Sequence, residues 1–159
     1  MKTHILRSHE RQLHSSFGDF VCMNCRNFIS AEAVLSGVHH RNHCPYCLTS
    51  RHLDLYKAGD RLSACKASMR PVALTIKRTI KKYSSERMGE IMLVHQCIEC
   101  GKISVNRIAT DDSSKMLLTV YEASLNLDSM ENSMIVQKGI ALLVADDRHQ
   151  LNVQLFGRC

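Results

Sequence analysis

The stretch Phe20-Val21-Cys22-Met23-Asn24-Cys25 is followed, after 18 intervening residues, by Cys44-Pro45-Tyr46-Cys47. Two Cys-x-x-Cys pairs at this separation match the spacing of a structural zinc site. Each two-residue spacer lets both thiolates of a tight turn reach one ion at about 2.3 Å. Four thiolates complete a tetrahedron, so this first site has no position left for substrate. Cys97-Ile98-Glu99-Cys100-Gly101 is a third such knuckle, with Gly101 suited to the turn that follows. Cys65 is the natural third donor of a second site. The fourth is expected from His95, two residues before Cys97 and on the same strand face, with His52 as the rival. If only three protein donors met there, a bound water could make the site catalytic. Cys159 is left over.

The chain has 159 residues, 45% of them hydrophobic but only 5% aromatic, with no Trp. That length suits one domain with an appendage, and the core should be poor in large anchors. No apolar run approaches the ~18–20 residues of a membrane span. Met1–Ser16 is basic and has no apolar leader-like region, so no signal peptide is read there. The expected compartment is the cytosol, where paired cysteines indicate metal more than disulfides. A redox Cys-x-x-Cys needs a helix start beside a βαβ pattern, which is lacking here.

The expected fold is α+β: zinc-ribbon-like β-hairpins around two Zn2+ sites, with a C-terminal helix and β-hairpin extension. Residues 1–16, with His4, His9 and His14, read as a polar arm. Residues 17–112 form the metal-binding body and 113–159 an extension packed on it. Met92-Leu93-Val94 and Ile103-Ser104-Val105 flank the third knuckle as hairpin strands. Ser113 or Ser114 can cap a helix carrying Leu117, Leu118, Tyr121 and Leu125 at helical spacing. Ile140–Ala145 and Leu151–Phe156 read as two further strands, the latter alternating Leu151, Val153 and Leu155.

Residues 1–110 carry 17 Lys+Arg against 8 Asp+Glu, and residues 111–159 carry 4 against 7; +9 and −3 make the formal +6. A basic body around metal knuckles suggests nucleic acid, with RNA or a ribonucleoprotein first. The contact candidates are Arg41, Lys77, Arg78, Lys81, Lys82 and Arg107, with Tyr46, Tyr56, Tyr83, Phe17, Phe20 and Phe28 for stacking. A protein-interaction adaptor is the alternative, its tail hairpin serving as a docking edge. A zinc hydrolase with an open second site ranks third. No catalytic Ser/His/Asp order, phosphate loop or His-Glu-x-x-His helix is present.

The string Arg41-Asn42-His43-Cys44-Pro45-Tyr46-Cys47-Leu48-Thr49-Ser50-Arg51-His52-Leu53-Asp54 resembles the signature of the RNHCP domain family. Gly59-Asp60-Arg61, Cys65, Met69-Arg70-Pro71, His95-x-Cys97-x-x-Cys100-Gly101 and Asn106-Arg107-Ile108-Ala109-x-Asp111-Asp112 continue the likeness. Together these cover about residues 17 to 115. The resemblance implies a cysteine-rich, zinc-binding domain and no assigned activity. Thr75 to Arg87 is longer and more basic than that pattern, and Lys66-Ala67-Ser68 has no Gly after Cys65. Among the shared polar positions, Asp54 could orient His52, and Arg61 or Arg107 could fork onto Asp111 or Asp112. Asp111 and Asp112 are adjacent, so they read as residues preceding a helix rather than as a pair of acids.

Overall fold

The computed structural model describes residues 18–77 and 89–157. A two-stranded antiparallel sheet, β1 (Phe20–Val21) with β2 (Phe28–Ile29), carries the first knuckle on its turn. A four-stranded antiparallel sheet follows, in the order β3 (Ser50–Arg51), β4 (Ser68–Lys77), β5 (Glu90–Cys97), β6 (Ile103–Arg107). The expected hairpin around the third knuckle is β5–β6, with Val94 opposite Val105. The short helix α1 (Ala33–Ser36) precedes β3, and α2 (Ser114–Ser124), α3 (Ser129–Gln137) and α4 (Arg148–Phe156) follow β6. None of these helices is long and apolar enough to cross a membrane.

Strand β4 contains Pro71, which has no N–H for a ladder. Its register against β5 shifts between Pro71 and Ala73, leaving Val72 as the extra residue of a bulge. Strand β3 pairs only with Ser68 and Met69, so the proline lies beyond it. Past the bulge both faces of the sheet are covered. Leu74, Ile91 and Leu93 pack with Leu48, Leu117, Val120, Tyr121, Leu143 and Leu151, while Val72, Ala73 and Val94 pack with Ile135. Tyr121 is the one fully buried aromatic side chain of the described core, and its hydroxyl donates to the Val144 carbonyl at 2.9 Å.

Helix α2 begins as its sequence expects: the Ser113 hydroxyl accepts from Met116 N. The C-terminal hairpin is not formed. Residues 151–156 lie in α4, and Leu142 makes only an isolated bridge to Thr75. Leu151 and Leu155 satisfy strand alternation, but they are also four apart and share one helix face. Both pack against the core cluster beneath α2, and that burial selects the helix. Helix α3, not expected from the sequence, starts at a capping residue: Asp128 accepts from Met130 N and Glu131 N, both at 2.8 Å.

Replacing Leu117 by Ala should remove about 2–5 kcal/mol from the unfolding free energy, as for other buried leucines that leave a cavity. Met130→Ala, at a side chain 72% exposed, should stay within about 0.5 kcal/mol. Denaturant unfolding of the two variants separates the cases.

Candidate metal centres

The three knuckles repeat one backbone design. In each, the first cysteine's carbonyl accepts from the N–H four residues on. Its own N–H donates to the carbonyl five residues on. The pairs are Arg26 and Asn27 for Cys22, Leu48 and Thr49 for Cys44, and Gly101 and Lys102 for Cys97. The residue at the fourth position is left-handed each time, with φ of 64° at Arg26, 59° at Leu48 and 71° at Gly101. Only the third knuckle uses glycine there, so sequence gave no signal at the other two. Lys66 takes a left-handed φ of 54° directly after Cys65, where no glycine is available.

These turns aim Cys22, Cys25, Cys44 and Cys47 at one point, with all four sulfurs within 4.8 Å of one another. Cys22–Cys47 and Cys25–Cys44 are each 3.5 Å apart. A tetrahedral ion with metal–sulfur bonds of about 2.3 Å needs sulfur–sulfur edges of about 3.8 Å. A disulfide needs about 2.05 Å. The donors therefore fit a metal and are not cross-linked. Burial pushes the Cys22 and Cys44 thiols up. Burial also opposes ionisation of Cys25 and Cys47. Hydrogen bonds from Asn27 to Cys25, and from Thr49 and Asn24 to Cys47, more than offset it; Cys47 falls to about 6. Such crowded sulfurs ionise together only around a cation.

The second cluster is His52, Cys65, Cys97 and Cys100. Cys65 and Cys97 sulfurs are 3.7 Å apart, and the Cys100 sulfur is 3.4 Å from His52 Nδ1. For metal–nitrogen and metal–sulfur bonds of about 2.0 and 2.3 Å, the tetrahedral S···N edge is about 3.5 Å. His52 arrives through β3: Arg51 pairs with Ser68, and His52 N donates to Ala67 O at 2.9 Å, beside Cys65. Burial first, then Lys102, lowers its pKa against the opposing pull of Asp54. The neutral imidazole so favoured is the ligating form. Its Nε2 is buried without a hydrogen-bond partner among the described residues.

His95 is not in the cluster, a correction to the sequence reading. It shares a strand face with Cys97, but two residues of strand are about 6.6 Å. Its Nε2 donates to the Leu48 carbonyl at 2.7 Å, and its Nδ1 accepts from Asn106 Nδ2 at 2.8 Å. Burial, with His43 nearby, holds its pKa down to about 3 against the Leu48 hydrogen bond. With both nitrogens engaged, His95 braces β5 against the second knuckle.

Arg41 is a second correction. It is expected to face nucleic acid, yet its side chain is 1% exposed. It donates Nε to the His43 carbonyl, Nη1 to Asp111 at 2.8 Å and Nη2 to Asp112 at 3.2 Å. Asp112 also accepts from His43 Nε2 at 2.8 Å and Ala109 N at 2.8 Å. The fork onto the aspartates thus comes from Arg41. Arg61 sits 3.6 Å from Asp54, and Arg107 pairs with Glu90 at 2.7 Å. Asp54 does not orient His52; it accepts from Gly59 N and Arg61 N. Gly59 is required here, because a Cβ at its φ of 86° would meet the His40 ring at 2.7 Å.

Two adjoining cavities of about 200 and 280 Å³ lie between the 51–58 loop and β6, sharing Asn42, Asp54, Ala58, Val105 and Asn106. Arg51, Tyr56, Lys57 and Lys102 line one, and Lys77 and Arg107 the other. Arg78, Lys81, Lys82, Tyr83 and Cys159 fall outside the described residues, as does the 1–16 arm.

His52→Ala should reduce the bound metal from two ions per chain to about one, and His95→Gln should leave two. Elemental analysis of the purified variants checks this. The opposite pattern would return the donor role to His95.

The RNHCP domain model matches residues 17–118. No curated protein matches the chain, and no solved structure does. The matched stretch holds every donor of both clusters and the whole Arg41–Asp112 network, and it ends within α2. It spans well over half of the 159 residues, and the chain belongs to the RNHCP domain family.

Proposed function

We propose that this chain is a zinc-stabilised module that binds single-stranded RNA along the groove between the 51–58 loop and β6. Zinc suits the donors: seven sulfurs and one imidazole in tetrahedral spacing. Both clusters have four protein donors, so neither leaves the open position that a zinc hydrolase requires. Loading also changes the charge argument. Seven thiolates and two divalent ions add a net −3 to the formal +6, giving +3. Net charge is then modest, and the local arrangement of cations carries the reading.

That arrangement is the observation on which the proposal rests. Arg51, Lys57 and Lys77 have no carboxylate partner among the described residues, and all three line the groove. Tyr56, 85% exposed, stands among them. Asp60 accepts from the N–H groups of Leu55, Tyr56, Lys57 and Leu62 at 2.8–3.1 Å. Those bonds, the one from Lys57 foremost, hold its carboxyl well below the usual carboxylate range. The loop that presents Tyr56 and Lys57 is thereby fixed before any ligand arrives. A cationic groove with an exposed ring is the common design for single strands, each stacked base contributing about 1–3 kcal/mol.

Anisotropy of a labelled single-stranded RNA, titrated across salt, tests the proposal. Affinity should fall with a log–log slope of about −0.7 per phosphate contact. Absence of binding at low salt, or binding indifferent to salt, would contradict it. Tyr56→Ala should weaken binding about tenfold or more. Asp60→Ala separates two explanations: it makes the loop more positive, yet it should also weaken binding because the loop loses its internal acceptor. Tighter binding by that variant would mean that charge alone governs the interaction.

A further inference from the structure

Past Arg51 the groove continues into a further cavity of about 210 Å³, beside the four-cysteine cluster. Among the described residues its lining holds Gly18, three arginines, Asn42, Phe20 and Leu53, and no carboxylate. The arginines are not equivalent. All of Arg41's bonding is spent on His43, Asp111 and Asp112. Arg51 donates Nε to the Lys66 carbonyl at 3.1 Å, and its two terminal nitrogens have no partner among the described residues. Arg61, its side chain about one-third exposed, donates Nη2 to the Arg41 carbonyl at 3.3 Å, while its Nη1 makes no hydrogen bond among the described residues. The nearest carboxylate oxygen to that nitrogen, on Asp54, is 3.6 Å away, too far for a hydrogen bond. Arg61 also holds a left-handed φ of 54°, an unfavourable conformation for a side-chain-bearing residue. Asn42 is buried, and among the described residues only its backbone carbonyl is engaged, by Ser50 Oγ and Arg51 N.

We propose that this cavity seats the phosphoryl group of a nucleotide on Arg51, Arg61 and Asn42, with Phe20 and Leu53 as the apolar wall for base or ribose. Guanidinium forks match phosphate oxygens in geometry and charge. Buried donors without partners are costly until an acceptor arrives. The inference rests on the RNA-binding reading for the class of its ligand, and the source is either a free mononucleotide or one residue of a strand.

The test uses the full metal-loaded chain, uridine 5′-monophosphate and a labelled oligouridylate. Arg51→Gln and Arg61→Gln should each weaken oligouridylate binding about tenfold and flatten its salt slope by about 0.7. Arg70→Gln lies outside the cavity, where Arg70 pairs with Glu131, and should bind as wild type does. If wild type binds the strand and both cavity variants match it, the phosphoryl seat is wrong while the RNA reading stands. If wild type binds only the mononucleotide, and the variants lose it, the seat stands and the RNA reading fails. Binding of neither ligand by wild type ends both. Unchanged metal content in the variants shows that they fold. In the wild-type protein, uridine monophosphate should shift the Asn42 amide and the arginine Nε–H resonances in NMR spectra. Unshifted signals under saturating nucleotide would overturn the seat independently of any substitution.

Discussion

Crowding of sulfur is the constraint on which this fold depends. Seven sulfurs and one imidazole are gathered into two groups whose donor atoms lie within 4.8 Å. Thiolates at that spacing repel one another unless a cation sits among them. The first group also joins segments that no sheet ladder joins. It ties the β1–β2 hairpin to the turn before β3. The second clamps one end of the four-stranded sheet, gathering His52 after β3, Cys65 before β4, and Cys97 and Cys100 at the β5–β6 turn. A metal held by these groups would make ligation and folding one equilibrium, as in other small metal domains. This explains how a chain with a single fully buried aromatic in its described core can hold several very short strands.

The buried carboxylate of Asp112 is the second hinge of the architecture. It receives Arg41, His43 and the Ala109 amide, and the next residue, Ser113, donates its N–H to Pro45 O. The loop leading into the second knuckle is thus fastened to the start of α2, some seventy residues later in the chain. Removing one partner of such a pair leaves a buried charge uncompensated, which costs about 3–5 kcal/mol. The Arg41-Asn42-His43 string that marks the family accordingly divides its work. Arg41 and His43 commit their side chains to Asp111 and Asp112 and hold the fold, whereas the Asn42 side chain, with no such bond among the described residues, lines the neighbouring cavities.

The knuckles were legible in the sequence because their geometry is local: two intervening residues fix where both sulfurs point. The choice between His52 and His95 was not, since it depends on the pairing of β3 with β4, a register that spacing does not encode. The burial of Arg41 is hidden from the sequence for a related reason. A charge reads as solvated until its partners are known, and Asp111 and Asp112 lie far along the chain. At the C-terminus Leu151 and Leu155 satisfied two periodicities at once, and only tertiary burial selects between them. Asp128 and Glu131 did mark a helix start, but the residues after them form no strong apolar stripe. The left-handed Arg26 and Leu48 left no trace, because neither residue type favours that conformation.

X-ray absorption at the metal edge of the purified protein, with elemental analysis of the same sample, tests the central claim most directly. The expected result is two zinc ions per chain sharing seven sulfur donors and one imidazole nitrogen, with no oxygen donor. A second imidazole, a bound oxygen, or a metal-free chain that keeps its fold would contradict it.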